Sequence, residues 1–178
     1  MEGIRGVFIE EGMKSLIIRS KKHGVHAILY DDEYHDLISG YRWNIYTSPR
    51  HSTYYAHTRI KTKNGHTTLR FHRLILGVTC SKIQVDHKNG NGLDNTFANL
   101  RVCNASQNGG NQRKSKCNTS GFKGVHQNKI NGRWIAKLGH ENKKIVLGTF
   151  HSIKDAVIAY NHAALKFKGE FAKLNPIP

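Results

Sequence analysis

The chain has 178 residues, which is enough for one medium-sized domain or two small ones. Hydrophobic residues make up only 38% of it, which favours two small cores, or one small core with much surface, over a single large core. No apolar run approaches the roughly 18 residues that a membrane span requires. The first residues are mixed and acidic, unlike the basic and then apolar start of a signal peptide.

Positive charge is the strongest global signal, with a formal net charge of +16. Residues 1–112 hold 15 basic and 9 acidic side chains, whereas residues 113–178 hold 13 basic and only 3 acidic ones. Such an excess repels itself, so a polyanionic partner is expected, and DNA carries one negative charge per ~1.7 Å of helix axis. RNA and an anionic membrane are rival partners, and a ribosomal protein would share the charge.

The three cysteines, Cys80, Cys103 and Cys117, lie far apart and form no CxxC pair. This spacing argues against a zinc knuckle, and the odd number is typical of a reducing, cytoplasmic location. We therefore expect free, partly buried thiols. A zinc site that combines cysteines with some of the twelve histidines stays open as an alternative.

In the first half of the chain, short alternating segments predict strands. Residues 14–30 form two apolar runs around a Lys-Lys-His-Gly turn, which predicts a β-hairpin, and residues 31–41 predict a short acidic helical turn. Residues 52–60 and 66–72 alternate around an Asn-Gly turn and predict a second hairpin. Residues 72–77 then predict a short helix that ends at a glycine.

The middle of the chain predicts two short strands, a loop and a helix. The strands are IQVDH at residues 83–87 and LRVC at residues 100–103, and the loop between them is dense in Asn and Gly. Residues 104–114 predict a helix that Asn104 caps, although two consecutive glycines disfavour its interior.

The last third has a different pattern, which begins after a polar linker. FKGVHQN, RWIAKLG and KKIVLGTF predict three strands. Residues 152–168 place apolar side chains three and four positions apart, which predicts an amphipathic helix that Ser152 caps.

Asp86, His87 and Asn108 are the candidates for chemistry. Asp86 and His87 are adjacent at a strand end, and Asn108 follows on the predicted helix. If that helix folds back on the first strand, Asp86 and Asn108 offer two oxygen ligands to one hard cation, Mg²⁺ or alternatively Mn²⁺. A neutral His87 beside the cation can then take a proton from water, as phosphodiester hydrolysis requires.

A structural interpretation competes with this one. Neighbouring strand side chains point to opposite faces, so Asp86 and His87 serve one site only if the strand ends or turns there. In a loop rich in Gly and Asn, an Asp-His pair is often only a turn with a solvated imidazole.

Residues 72–113 resemble the HNH nuclease motif of phage and intron-encoded homing endonucleases, through HRLILG and VDHKNGNGLDNTFANLRVCNASQNGGNQRK. The resemblance implies that Asp86 and Asn108 are metal ligands and that His87 is the general base. It also implies that Asn99 ties the loop together, a structural task that Asn95 can share.

The two residues at the start of the motif, His72 and Arg73, have less certain roles. His72 is a candidate for orienting the site or the DNA, and Arg73 is a candidate for holding a phosphate. The alternative is a packed histidine at a sheet edge.

Residues 120–175 resemble the plant ethylene-response-factor (Apetala-type) DNA-binding domain, through SGFKGV, GRWIAKL, LGTF and DAVIAYNHAALKFKGEFAKLN. The resemblance implies a three-stranded antiparallel sheet that packs on one helix and lies in the DNA major groove.

Alternation along the predicted strands separates a core face from a DNA-facing side. The apolar residues of the core face are Val125, Trp134, Ala136, Leu138, Ile145 and Leu147. The DNA-facing side carries His126, Asn128, Arg133, Ile135, Lys137, Gly139, Lys144 and Val146.

The predicted DNA contacts are basic or polar and lie on or beside that side: Lys123, His126, Asn128, Arg133, Lys137 and Lys144. A merely solvated face is the alternative interpretation. The plant domains have Arg where Lys123, His126, Asn128 and Gly139 stand, and Trp where Val146 stands, so a weaker or different sequence preference is implied.

We therefore expect an α+β protein. Residues 1–113 hold a β-rich region that leads into a ββα-metal nuclease unit, residues 114–119 are a linker, and residues 120–178 form the sheet and helix that bind DNA. The expected function is metal-dependent, homing-like cleavage of double-stranded DNA. A DNA-binding regulator with an inactive nuclease motif is one alternative, and an RNA-binding structural protein is another.

Overall fold

The computed structural model describes residues 11–47, 53–115, 117–141 and 143–178. The protein mixes strands and helices, is rich in sheet and has few helices. It forms two compact units, which divide in sequence between Val102 and Cys103. Each unit has its own hydrophobic cluster, in agreement with the expectation of two small cores.

The N-terminal unit begins with the hairpin that the sequence predicts. Strands β1 (Met13–Ser20) and β2 (Gly24–Asp31) pair antiparallel, and Ser20 lies opposite Gly24 at the turn. A 3₁₀ turn (Asp32–Tyr34) and the short helix α1 (His35–Ser39) follow, where an acidic helical turn was expected.

A second sheet has the order β3 (Asn44–Tyr46), β4 (Tyr55–Thr62) and β5 (Gly65–Arg70), and helix α2 (Phe71–Ile75) follows it directly. The β4–β5 hairpin was predicted, although residue 52, the first of its predicted positions, lies outside the described residues. Strand β3 was not predicted, because three residues are too few to show alternation.

Strands β6 (Gln84–His87) and β7 (Leu100–Cys103) form a separate two-stranded sheet. The loop between them, residues 88–99, is anchored on β2. The amide of Leu29 donates to the carbonyl of Leu93 at 2.8 Å, and the amide of Asn95 donates to the carbonyl of Leu29 at 2.8 Å. The first hairpin thus supports the loop that carries the motif asparagines.

The core of this unit lies between the hairpins, α1, α2 and the loop. Its buried residues are Ile28, Tyr30, Ile38, Trp43, Ile45, Ala56, Phe71, Ile75, Leu93 and Leu100. Because Leu93 and Leu100 belong to the loop and to β7, burial of apolar surface holds the motif against the rest of the unit.

The C-terminal unit contains helix α3 (Ala105–Asn111), a three-stranded antiparallel sheet and helix α4 (Ile153–Lys168). The sheet has the order β10 (Lys143–Phe150), β9 (Trp134–His140) and β8 (Val125–Gln127). Helix α4 packs on this sheet, and a 3₁₀ turn (Gly169–Phe171) follows it. This sheet-on-helix arrangement agrees with the prediction.

Burial separates the two sides of the sheet as alternation predicted. Val125, Ala136 and Leu138 are buried against α4, whereas Val146 on the other side is 61% exposed. One irregularity was not predicted: the register with β9 shifts between Val146 and Gly148, which is a β-bulge.

Helix α3 groups with the C-terminal unit, so the division lies before the predicted linker at residues 114–119. The physical reason is packing, since α3 contacts α4, β9 and the 3₁₀ turn that follows α4. The order β6, β7, α3 agrees with the predicted order of elements, and the ββα arrangement itself stays a prediction.

In the described part of the chain, no disulfide bond involves Cys80, Cys103 or Cys117. Cys103 is buried, whereas Cys80 and Cys117 are exposed, so the expectation of partly buried thiols is wrong for these two. Among the described residues, no helix has the length and apolar character that crossing a membrane requires.

Gly92 offers a test of the loop anchor. A side chain at this position would meet the backbone oxygen of Tyr54 and lie 2.6 Å from the ring of Tyr55. We expect Gly92→Ala to destabilise the N-terminal unit by about 1–3 kcal/mol, as overpacking does. Denaturant unfolding followed by Trp43 fluorescence, in a Trp134→Phe background, measures the change.

Gly40→Ala is the matched control, because Gly40 has φ −70° and open space around its Cα. Equal stabilities of the two alanine variants would contradict the tight approach at Gly92.

Candidate functional site

Asp86 lies in β6 with its carboxylate almost fully buried, and an arginine on the neighbouring strand holds it. Arg101 of β7 donates to Asp86 Oδ2 from Nε at 2.9 Å and from Nη2 at 2.8 Å. The side chains of Asp86 and Arg101 are only 7% and 11% exposed. The pairing of β6 with β7 therefore fixes the orientation of the carboxylate.

Sequence reasoning missed Arg101, although a signal was present. It is a charged residue in a four-residue strand whose ends, Leu100 and Cys103, are buried. A charge in such a place needs a partner, and an aspartate on the preceding strand is the natural one.

The carboxylate of Asp86 is an oxygen donor of the kind that a hard cation such as Mg²⁺ prefers. A carboxylate has two oxygens with about four lone-pair sites, so Asp86 can accept hydrogen bonds from Arg101 and still coordinate a metal ion. Charged groups behind a ligand commonly orient it in metal sites.

His87 is buried beside Asp86, with 4% of its surface exposed. Its Nε2 lies 3.2 Å from Asn95 Oδ1. An amide oxygen can only accept, so Nε2 carries the hydrogen and donates it, and the lone pair of the neutral ring is on Nδ1. The rings of His72 and Tyr55 lie 5.2 and 5.8 Å from the His87 ring and restrict its rotation.

Burial keeps the two neighbouring histidines neutral. It lowers the pKa of His87, against the opposing effects of the Asn95 hydrogen bond and the Asp86 and Asp94 charges. It lowers the pKa of His72 to about 3, with His87 as a further cause. A neutral imidazole is the form that accepts a proton.

The two predicted supporting asparagines have different contacts. Asn99 Oδ1 accepts from the amide of Asn89 at 3.0 Å, and Asn99 Nδ2 donates to the carbonyl of Asp94 at 2.7 Å. Asn99 thus links the two ends of the loop, whereas the fully buried Asn95 contacts the imidazole of His87.

The residues at the start of the motif lie on α2. His72 is 6% exposed. Within the part of the chain that the structure describes, His72 Nδ1 and Asn95 Nδ2 are buried polar atoms without a hydrogen-bond partner. The guanidinium of Arg73 donates to the carbonyls of Ile83 and Cys80 at 2.7 and 2.6 Å, so in this conformation it holds backbone at the start of β6.

Asn108 lies on α3 and belongs to the C-terminal unit, whereas Asp86 and His87 belong to the N-terminal one. Across residues 11–47, 53–115, 117–141 and 143–178, no group of three His, Cys, Asp or Glu side chains has metal-binding geometry. The predicted ligands are Asp86 and Asn108, and a group of His, Cys, Asp and Glu side chains does not include the asparagine amide. The metal assignment therefore stays a prediction.

The predicted DNA contacts of the sheet differ in exposure. Arg133 and Lys144 are exposed, whereas His126, Asn128 and Lys137 are half-buried. Asn128 Oδ1 also accepts from the amide of Ile130 at 2.9 Å, which gives Asn128 a part in the β8–β9 turn.

Lys123 has a more enclosed position than the other predicted contacts. Its ammonium donates to the carbonyls of Gly110 at 2.6 Å and Gly109 at 3.3 Å. Burial, together with the charges of Lys173 and Lys168, lowers its pKa to about 8.

A cavity of about 440 Å³ in the C-terminal unit is strongly cationic. Residues of α3, α4, β9 and β10 line it, with Glu141 as the acidic side chain among them. Its basic lining consists of Lys123, Lys137, Lys143, Lys144, Lys168 and His140.

With this geometry established, comparison with known proteins gives two findings. The sequence model of one protein family, described as HNH endonuclease, matches residues 78–109. The stretch includes the five motif residues Asp86, His87, Asn95, Asn99 and Asn108.

The second finding is a partial similarity to plant transcription factors. Ethylene-responsive transcription factor ERF024 of Arabidopsis thaliana is 41% identical over 56 residues, which is 30% of this chain and 30% of that protein. Ethylene-responsive transcription factor WRI1 of the same plant is 38% identical over 58 residues, which is 32% of this chain and 14% of that protein.

Dehydration-responsive element-binding protein 2A, also of Arabidopsis thaliana, is 37% identical over 68 residues, or 37% of this chain and 19% of that protein. The chain thus spans less than a third of the length of each of these three relatives. No solved structure matches it.

The lowered pKa of Lys123 predicts a pH effect on stability. The pKa is about 8 in the folded chain against an ordinary 10.5, so between these values the unfolded chain binds more protons. Below pH 8, burial of the charged Lys123 ammonium therefore lowers the free energy of unfolding. This penalty is relieved as pH rises from about 8 towards 10.5, so the free energy of unfolding increases over that range. Lys123→Met removes that gain.

Urea unfolding between pH 7 and 10 measures the effect, with a Trp43→Phe background so that Trp134 reports on the C-terminal unit. Lys129→Met, at an exposed turn residue, is the matched control. Parallel pH profiles for wild type and Lys123→Met would show that Lys123 is not buried in its charged form.

Proposed function

We propose that this protein is a metal-dependent HNH endonuclease that hydrolyses phosphodiester bonds in double-stranded DNA. The observation that carries the proposal is the pair of adjacent buried side chains inside the matched stretch. Arg101 orients the carboxylate of Asp86, and Asn95 orients the ring of His87. Such preorganisation costs folding energy, and a nuclease site supplies a reason for it.

Asp86 and Asn108 are the oxygen donors that would hold a divalent cation, Mg²⁺ or Mn²⁺. When bound, such a cation stabilises the negative charge that develops on the scissile phosphate and the leaving oxygen. Arg101 keeps the carboxylate of Asp86 in place through Oδ2.

His87 is the general base. With Nε2–H donated to Asn95, Nδ1 takes a proton from the attacking water. Attack of that water on phosphorus forms the new P–O bond and breaks the bond to the 3′ oxygen. The 3′ oxygen takes a proton from solvent, so the products carry a 5′ phosphate and a 3′ hydroxyl.

The C-terminal sheet supplies DNA binding. The similarity to plant transcription factors and the charge of residues 113–178, 13 basic against 3 acidic side chains, support this assignment. Arg133 and Lys144 are the exposed cations on or beside its DNA-facing side. The proposal includes site-selective, homing-like cutting, by nicking or by cleavage of both strands.

A second candidate is a DNA-binding regulator whose nuclease motif is inactive. It has one observation in its favour: the relatives with transcription-factor names match over 56–58 residues, a longer stretch than the nuclease match at residues 78–109. The two candidates share DNA binding and differ in metal-dependent cleavage.

The test is conversion of supercoiled plasmid in Mg²⁺. We expect wild type to produce open circles or linear DNA, and EDTA to stop cleavage while it spares most binding. His87→Ala should cleave about 10²–10⁴-fold more slowly, since it lacks the general base. DNA affinity, measured by fluorescence anisotropy, should stay near that of wild type.

His162→Ala is the matched control, because His162 is exposed on α4 and outside the proposed machinery. Undiminished cleavage by His87→Ala would eliminate His87 as the base. Salt-sensitive DNA binding without any cleavage by wild type would favour the regulator.

A further inference from the structure

Helix α3, which carries Asn108, has little stability of its own. It spans seven residues, Ala105–Asn111, and two of them are the consecutive glycines Gly109 and Gly110. Isolated helices shorter than about 12–15 residues are marginal in water, and each interior glycine costs about 1 kcal/mol relative to alanine. The capping box of Asn104 and Gln107 satisfies only its first turn. Its conformation must therefore depend on packing.

A buried lysine holds the first half of α3. Lys168, near the end of α4, is only 7% exposed. Its ammonium donates to the carbonyl of Ser106 at 2.9 Å and to Ser106 Oγ at 2.7 Å. A buried cation is tolerated only when its hydrogen bonds are satisfied. Ser106 supplies two acceptors to Lys168, and His140 Nδ1 is a further contact of the ammonium at 3.4 Å.

A second lysine holds the other half. Lys123 donates to the carbonyls of Gly109 and Gly110, near the C-terminal end of α3. A cation at this end also interacts favourably with the helix dipole. The amide of Lys173 donates to the same Gly110 carbonyl at 3.1 Å.

Gly110 permits this close approach. A Cβ at this position would lie 2.7 Å from the carbonyl oxygen of Phe171 and 3.2 Å from the Lys168 side chain. The glycine that weakens α3 as an isolated helix thus allows it to dock on the C-terminal unit.

We infer that Lys168 and Lys123 are positioning residues of the nuclease motif, because they hold the helix that carries Asn108 on the C-terminal, DNA-binding unit. The inference rests on the proposed function, which gives Asn108 its task as a metal ligand. It means that the nuclease motif is not self-contained: the helix that carries its last ligand depends on Lys123, 13 positions beyond Gly110, and on Lys168, 62 positions beyond Ser106.

The cationic cavity connects helix α3 with the sheet that we propose as the DNA-binding surface. Ala105 and Ser106 of α3 line it together with Lys137 and Lys144 of the sheet. A DNA phosphate held by these two sheet lysines would lie beside the helix that carries Asn108. Helix α3 then links DNA binding by the sheet to the position of Asn108.

The test uses the full-length chain with Lys168→Met, which keeps the aliphatic stem and removes the donors. We expect hydrogen exchange at the amides of residues 105–111 to become at least about tenfold faster, since two buried hydrogen bonds are lost. The kcat for plasmid cleavage should fall about 10–100-fold, as it does when a partner that orients a metal ligand is removed. KM for DNA should change little.

Three further variants complete the design. Lys168→Arg retains donors and should recover part of both effects. Lys123→Met should repeat both losses through the other end of α3. Lys166→Met removes the same charge from an exposed position on the same helix and should stay within about twofold of wild type.

Unchanged exchange at residues 105–111 in both Lys168→Met and Lys123→Met would overturn the inference, and so would faster exchange with an unchanged kcat. If wild type does not cleave at all, the proposed function fails. The exchange measurement would then still decide whether the two lysines hold α3.

Discussion

The ion pair between Asp86 and Arg101 is the interaction on which the candidate site depends. It joins two four-residue strands that would be marginal alone, and it lies almost entirely out of water. Removal of one partner from such a pair typically costs about 3–5 kcal/mol, because the other charge stays buried and uncompensated. The carboxylate that we propose as a metal ligand is therefore also a structural element.

The same constraint places His87. With Asp86 fixed towards Arg101, the next side chain is held between the rings of His72 and Tyr55, and Asn95 sets its tautomer. Asn95 is in turn held by the hydrogen bond that its backbone amide donates to the carbonyl of Leu29, in strand β2 of the first hairpin. A β-rich region with no obvious chemistry thus has a clear task, which is to hold the loop that orients the histidine.

Local signals were sufficient to predict much of the fold. Asn-Gly and similar turns gave the hairpins, apolar spacing gave α4, and the Asp-His pair marked β6. Lys168, at the end of α4, is buried against Ser106, 62 positions away, and the helical pattern of residues 152–168 does not predict this contact. The contacts of α3 with α4 and β9 were missed for the same reason. Each depends on a contact between distant segments, which no local pattern encodes.

If Asp86 and Asn108 hold one cation, as we propose, then both side chains contribute to the affinity for Mn²⁺, which electron paramagnetic resonance measures. The variants are Asp86→Asn, which keeps the shape and one oxygen acceptor for Arg101 but removes the negative charge, Asn108→Ala, and the double substitution, each compared after its unfolding curve shows that it is folded. We expect each single change to weaken Mn²⁺ binding at least about tenfold, and the effect of the double change to be much smaller than the sum of the two. Wild-type affinity in Asn108→Ala would contradict it.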